Sequence, residues 1–361
     1  MKSEKMRIIQ VIPMFGLAGA ESMCENLSIE LVNKGYDVRV ISLYNYHSAI
    51  TERLENCKIP VIYLNKKKGL DASIVFKLIH VFAQVKPNVV HTHLYALKYA
   101  AFASIVTGVK VRIHTMHNIA EKESSPKDQI LNNFFFKHCK VVPVSLSDEI
   151  RNTVMKRYGL TEDQTPVIYN GVDLNKCIPK VHSSSKGLHY LHIGRFTKQK
   201  NHKMLIEAFN KVHNIDPNTD LTLIGSGELE NNIKEQVISL GLESAVHFLG
   251  TRNNVYPYLN AADAFVMSSI YEGMPMTIIE AMGTGLPIIS TDVGGIRTLI
   301  EPEKEGILID GSSEALANAM LRMKDYRLRT VMGNNAQEKA RKFFSALKMT
   351  DSYVEQYERL R

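Results

Sequence analysis

Cysteine is scarce in this chain of 361 residues. Four occur, Cys24, Cys57, Cys139 and Cys177, and none forms a C-x-x-C pair. That spacing argues against a disulfide framework or a zinc site and fits a reducing, cytoplasmic setting. No apolar stretch reaches the ~18 residues of a membrane span. The run Ile8 to Phe15 is brief, lacks a cleavage-site pattern and reads as a first strand, not a signal peptide. No nucleic-acid-binding motif is present, and the basic residues are not interleaved with stacking aromatics, so nucleic acid is not an expected partner. His91 and His93 have the spacing of a metal pair but no third ligand, so no metal site is expected.

What is present is ordinary soluble composition, 45% hydrophobic and 22% charged. The length suits two α/β domains of about 100–200 residues each. Net charge is +7 and unevenly spread. Residues 1–175 hold 22 Lys and Arg against 16 Asp and Glu; the remainder holds 22 against 21. A basic first half suggests an anionic partner there, either a lipid surface or a diphosphate-bearing acceptor. Solubilising charge would give the same excess.

Apolar runs that read as strands alternate with helical periods, and Gly-containing loops follow the strands. Two doubly wound parallel sheets follow from that order. The first domain is expected over 1–175 and the second over 176–339. A helix over 340–361 follows, and residues 174–187, with Pro179 and three serines, read as the linker. Pro166 to Tyr169 reads as the strand closing the first sheet, and Ile119 to Asp128 as a flexible loop.

The chain is organised around the stretch 272–295, which follows an apolar run. Ala264 to Met267 reads as a buried strand, Gly273 and Pro275 punctuate a tight loop, and a short helix covers Thr277 to Met282. Leu286 to Ser290 is a second strand, and Asp292 to Gly295 a second Gly-rich loop. Two carboxylates, Glu272 and Glu280, flank the first loop. A helix start offers unpaired N–H groups to phosphate or sugar oxygens, and Gly273 lets backbone approach a ligand. Either glutamate alone would read as a helix-start residue held by the dipole; the combination is more specific. Upstream, Arg195 and Lys200 lie on a loop entering a helix and can neutralise a diphosphate.

The stretch Glu272-Gly273-Met274-Pro275, Glu280-Ala281-Met282, Gly285-Leu286-Pro287 and Gly294-Gly295 resembles the signature of family 4 retaining glycosyltransferases. Nearly the whole chain shares the resemblance, including Asn170-Gly171-Val172-Asp173 and Gly194-Arg195 with Lys200-Asn201. It implies a GT-B fold, two Rossmann-like domains facing across a cleft, with the 340–361 helix packing back on the first domain. It implies transfer of a sugar from a nucleoside-diphosphate sugar, a co-substrate and not a bound cofactor, with retention and without metal. Glu280 would hold the ribose. Glu272, with Gly273, Met274 and Pro275, would face the donor sugar. Arg195 and Lys200 would carry the leaving diphosphate, and Arg252 and Asn253 the base. In the first domain, Gly16, Gly19 and Glu21 match the phosphate-side loop only in part, since Ala18 replaces one glycine. Thr115-Met116-His117 matches the Thr-x-His that sets a histidine beside the sugar, and His93 falls on the acceptor side. The expected partners are a UDP-sugar and a glycan or lipid-linked acceptor, with peripheral contact at the inner face of the plasma membrane. A nucleotide-sugar epimerase on the same fold and a non-catalytic binding subunit are the competing readings. The intact set Arg195, Lys200, Glu272 and Glu280 disfavours the latter.

Overall fold

A computed structural model describes residues 5–178 and 187–361. Pro179 and Ser183, Ser184 and Ser185 of the expected linker lie outside them. Two compact units result: Met1–Val172 with Ser345–Arg361, and Asp173–Phe344.

In the first unit, β1 (Arg7–Ile12) leads through α1 (Gly19–Asn33) to β2 (Asp37–Ser42), then α2 (Ala49–Asn56), β3 (Val61–Tyr63) and α3 (Ser73–Val85). It continues with β4 (Val89–His93), α4 (Leu97–Val106), β5 (Val111–Met116), α5 (Ala120–Glu123), α6 (Pro126–His138), β6 (Val141–Ser145) and α7 (Asp148–Tyr158). The strands pair in parallel in the order β3-β2-β1-β4-β5-β6. Ile8 lies opposite both Val38 and Val89. Helices cover both faces, which is why β1 and β4 are apolar or buried nearly throughout. Ile9, Val11, Ile41, Leu78, Phe82 and Ala100 form one side of its core.

The second unit repeats the plan with β7 (His189–Ile193), α8 (His202–Ile215), β8 (Asp220–Ile224), α9 (Glu230–Ser239), β9 (Val246–Phe248) and α10 (Tyr256–Ala261). There follow β10 (Ala264–Met267), α11 (Met276–Gly283), β11 (Ile288–Thr291), α12 (Ile296–Leu299), β12 (Gly306–Ile309), α13 (Ser313–Arg322) and α14 (Tyr326–Phe343). Strand order is β12-β11-β10-β7-β8-β9. Tyr190, Phe209, Leu223, Val266 and Met320 share its core, and the Tyr190 hydroxyl is satisfied by the Met320 carbonyl at 2.8 Å.

In each sheet the winding reverses once. The reversal falls between β1 and β4 in the first unit and between β7 and β10 in the second. Adjacent strands whose connections leave in opposite directions open a crevice beyond their carboxyl ends, where such folds bind ligands.

Three stretches differ from the sequence reading. Residues 119–128 are largely helical, not a flexible loop: Ser125 caps α6 by accepting from Asp128 N–H, and Pro126 begins that helix. Pro166 to Tyr169 makes one bridge, Val167 to Ser145, instead of a strand. The final helical segment is broken at Phe344 and Ser345. Its last helix, α15 (Ala346–Leu360), belongs to the first unit. There it packs on α1, and Lys34 pairs with Asp351 at 2.6 Å.

Candidate functional site

In the second unit, the loops after β7 and β10 meet at the switch point. Lys200 closes a single 3-10 turn, Lys198–Lys200, after β7. Its ammonium donates to Glu272 Oε1 at 2.6 Å, and both side chains are largely buried. The backbone ties the same loops: Ile270 N–H donates to the Gln199 carbonyl at 2.8 Å, and the Gln199 amide donates to the Tyr271 carbonyl at 2.9 Å. Ser268 Oγ donates to the Lys200 carbonyl at 2.8 Å. The pair is therefore built into a rigid junction and is not a chance surface contact.

Two glycines hold the neighbouring loops against this junction. Gly294 has φ +56°, and a Cβ there would overlap the Glu272 carbonyl oxygen. Gly225 has φ +142°, and a Cβ there would strike the Gly194 carbonyl. Only glycine allows both the dihedral and the approach.

Arg195, on the same loop as Lys200, is exposed and has no ion-pair partner among the described residues. Gly273, Met274 and Pro275 are buried beneath the loop surface, and Pro275 is the N-cap of α11. Glu280 is half-buried on that helix. Its carbonyl faces the Cys177 thiol at 3.9 Å, and burial, followed by the Glu280 charge, pushes that thiol up to about 12. Cys177 is thus an inert packing group. Arg252 and Asn253 are exposed on the loop after β9.

In the first unit, the residues read from sequence form a buried polar chain. His93 Nδ1 lies 3.1 Å from His117 Nε2, and His93 Nε2 lies 2.9 Å from Gln10 Oε1. As Gln10 is oriented, His93 carries its proton on Nε2, so His117 Nε2–H donates to His93 Nδ1. That leaves His117 Nδ1 as an acceptor. Burial holds His117 down to about 3, and His93 well below the ordinary histidine value. Both rings are neutral at neutral pH.

His93 is fully buried with both nitrogens in use. Its ring is thereby fixed between Gln10 and His117. His91 stacks on His93 with centroids 4.5 Å apart. It bonds Tyr357 Oη at 2.8 Å and Thr115 Oγ1 at 2.7 Å. Thr115 in turn bonds Tyr353 Oη at 2.8 Å. Gly19 is the exposed first residue of α1, Glu21 is buried in its first turn, and Gly16 lies beside the Glu21 carboxylate. Among the described residues, no three His, Cys, Asp or Glu side chains converge as a metal cluster.

Two family models match in succession, Glycosyltransferase Family 4 over residues 17–176 and Glycosyl transferases group 1 over residues 176–339. The chain belongs to glycosyltransferase family 4. This glycosyltransferase is 26% identical to the UDP-Gal:alpha-D-GlcNAc-diphosphoundecaprenol alpha-1,3-galactosyltransferase of Escherichia coli, over 98% of this chain and 96% of the relative. It is also 26% identical to the N-acetyl-alpha-D-glucosaminyl L-malate synthase of Bacillus anthracis, over 94% of this chain and 92% of that one. Among solved structures, Anabaena HepE in complex with UDP-glucose matches with a TM-score of 0.86 and 24% identity, covering 98% of this chain and 100% of that chain. The fold of the glycosyltransferase is GT-B.

The sequence reading of the glycosyltransferase missed a cluster beside Lys200. His202 stacks on Phe196 with centroids 4.1 Å apart and meets the His192 ring edge-on at 4.6 Å. Neither His202 nitrogen has a partner among the described residues, and burial holds the ring down to about 2. It supports the Lys200 turn from below as an uncharged aromatic. Its position two residues after Lys200 was the available signal.

Proposed function

We propose that this glycosyltransferase moves a sugar from a UDP-sugar to a hydroxyl of a lipid-linked glycan, with retention at the anomeric carbon and without a bound metal. The observation that carries this reading is the buried Lys200–Glu272 pair at the β7/β10 switch point, with Arg195 exposed on the same loop. A diphosphate arriving there competes with Glu272 for Lys200. Glu272 is then released toward the sugar hydroxyls, and Lys200 and Arg195 receive the charge that develops as the anomeric C–O bond to phosphate breaks. Glu280 takes the ribose hydroxyls, and Arg252 and Asn253 the base. The acceptor oxygen forms the new bond on the face the diphosphate leaves, and its proton passes to a diphosphate oxygen. His117, neutral, accepts a hydroxyl of the transferred sugar.

Support for the donor comes from the Escherichia coli relative, whose name specifies UDP-Gal, and from HepE, solved with UDP-glucose. The same relative's diphosphoundecaprenol acceptor supports a lipid-linked substrate. No helix of the described residues is long and apolar enough to cross a membrane. Peripheral contact at the inner membrane face is supported by exposed Phe76 on α3, Phe102 and Val106 on α4, and Ile130 and Phe134 on α6. These helices are neighbours, and Lys77, Lys110, Lys127 and Lys137 are exposed beside the apolar groups.

A nucleotide-sugar panel tests the reading, scored by thermal shift and by product formation. UDP-sugars are expected to stabilise the protein, and Lys200→Ala and Glu280→Ala to lose transfer. Stabilisation by GDP-sugars alone, or full activity in both variants, would overturn it.

A further inference from the structure

The first unit contains a pocket of 530 Å³ that none of the roles above uses. It lies at the helix-start ends of α4 and α6 and is lined by Tyr44, Lys66, Tyr95, Lys98, Glu123 and Asp128 among others. Lys66 is the first of three consecutive lysines, a run of a kind most often left in solvent. It is instead buried, with its ammonium 5.0 Å from the Tyr44 ring and 5.6 Å from the Tyr99 ring. It donates to Tyr44 Oη at 3.3 Å, to the Lys67 carbonyl at 2.9 Å, and to the Gly69 carbonyl. No carboxylate pairs with Lys66 among the described residues, so its charge is uncompensated there.

On the opposite wall, Lys98 donates to both Asp128 oxygens at 3.1 Å. Its ammonium lies 5.3 Å from the Tyr95 ring. That pair cancels its own charge, and the Lys66 charge remains. Tyr44 adds a directed donor. Its oxygen accepts from Lys66 at 3.3 Å. With a lone pair turned to Lys66, the Tyr44 proton is left for a ligand acceptor. Glu123 closes the pocket, and its Oε1 is buried without a partner.

We propose that this pocket binds a sugar phosphate of the acceptor: Tyr44 O–H and the Lys66 charge take the phosphate, and Lys98, Asp128 and Glu123 take ring hydroxyls. A buried ammonium with no paired carboxylate among the described residues, walled by aromatic rings, suits an anion. The adjoining carboxyl and ammonium pair suits the mixed donors and acceptors of a pyranose. This deepens the acceptor reading above and rests on it.

The test is isothermal titration of the intact protein with an N-acetylhexosamine 1-phosphate, the free N-acetylhexosamine, inorganic phosphate, and vesicles of anionic phospholipid. UDP is titrated in parallel. The sugar phosphate is expected to bind more tightly than either fragment alone. Tyr44→Phe keeps the ring over Lys66, and should weaken the sugar phosphate about tenfold, the loss of one charge-assisted hydrogen bond. Lys98→Gln should weaken it as well, and UDP affinity should be unchanged in both. Equal sugar-phosphate affinity in wild type and both variants would overturn the proposal. So would Tyr44-dependent binding of vesicles with no binding of the sugar phosphate, which would assign the pocket to a lipid headgroup. Failure of UDP to bind the wild type would instead sink the donor reading and leave the pocket readout standing.

Discussion

Lys200 and Glu272 are 72 residues apart and share a hydrogen bond of 2.6 Å. Neutralising either leaves the other charged, largely buried and unpaired, so single and double substitutions will not add. We expect Glu272→Gln and Lys200→Ala each to lower kcat by about 10²–10³, the size seen for one lost electrostatic donor at a reacting centre. The double variant should cost little more than either single, which steady-state kinetics on all three would check. Gly294→Ala belongs to the same scale: a Cβ meets the Glu272 carbonyl at φ +56°. It should raise the UDP Kd and lower the melting temperature, measurable by titration and by thermal melting. The identity of both charged residues was legible from their motifs, but their pairing was not, because neither segment encodes the loop geometry that joins them. Lys66 shows the reverse failure. A run of lysines is most often solvated, and only the tertiary fold turns the first one inward among tyrosines.

At the scale of elements, the strand–helix alternation was readable because buried parallel strands are apolar runs with Gly-containing turns. What failed were short stretches with two physical meanings. Ser124-Ser125-Pro126 looks like loop composition, yet the same residues are a helix N-cap and a first-turn proline. Pro166 to Tyr169 is apolar enough for a strand but makes one bridge. The α15 helix gives a further expectation. Tyr357→Phe removes the partner of a buried His91 nitrogen and should cost about 1–3 kcal/mol of stability, read from urea unfolding, with His117 less ordered by NMR. The return of the tail was implied by the resemblance, but these hydroxyl contacts were not legible, since Tyr353 and Tyr357 look like any apolar stripe on a terminal helix.

For the molecule as a whole, the buried histidines set an acid response. Burial holds His114 and His117 at about 3, His192 at about 4 and His202 at about 2, with His91 and His93 well below their usual value. The unfolded chain takes up protons on them below about 6.5, where the native state does not, so unfolding gains protons and stability falls as pH drops. Glu123 acts in the opposite sense: burial lifts it to about 7, so the native state holds its proton more tightly between that pH and the ordinary carboxyl range. Six histidines outweigh one carboxyl. The urea midpoint is expected to decline steadily from pH 6.5 to pH 5, and a flat midpoint would contradict the burial.

The return of α15 to the first unit also sets an order of assembly. Residues 345–361 are synthesised after all of the second unit, yet they supply the hydroxyls that satisfy His91 and Thr115 beneath β4 and β5. During translation the first unit therefore waits, with those polar groups and the α1 face uncovered, until the last helix emerges. A chain stopped at 344 should expose that face and bind chaperones or aggregate, although the second unit's residues are all present.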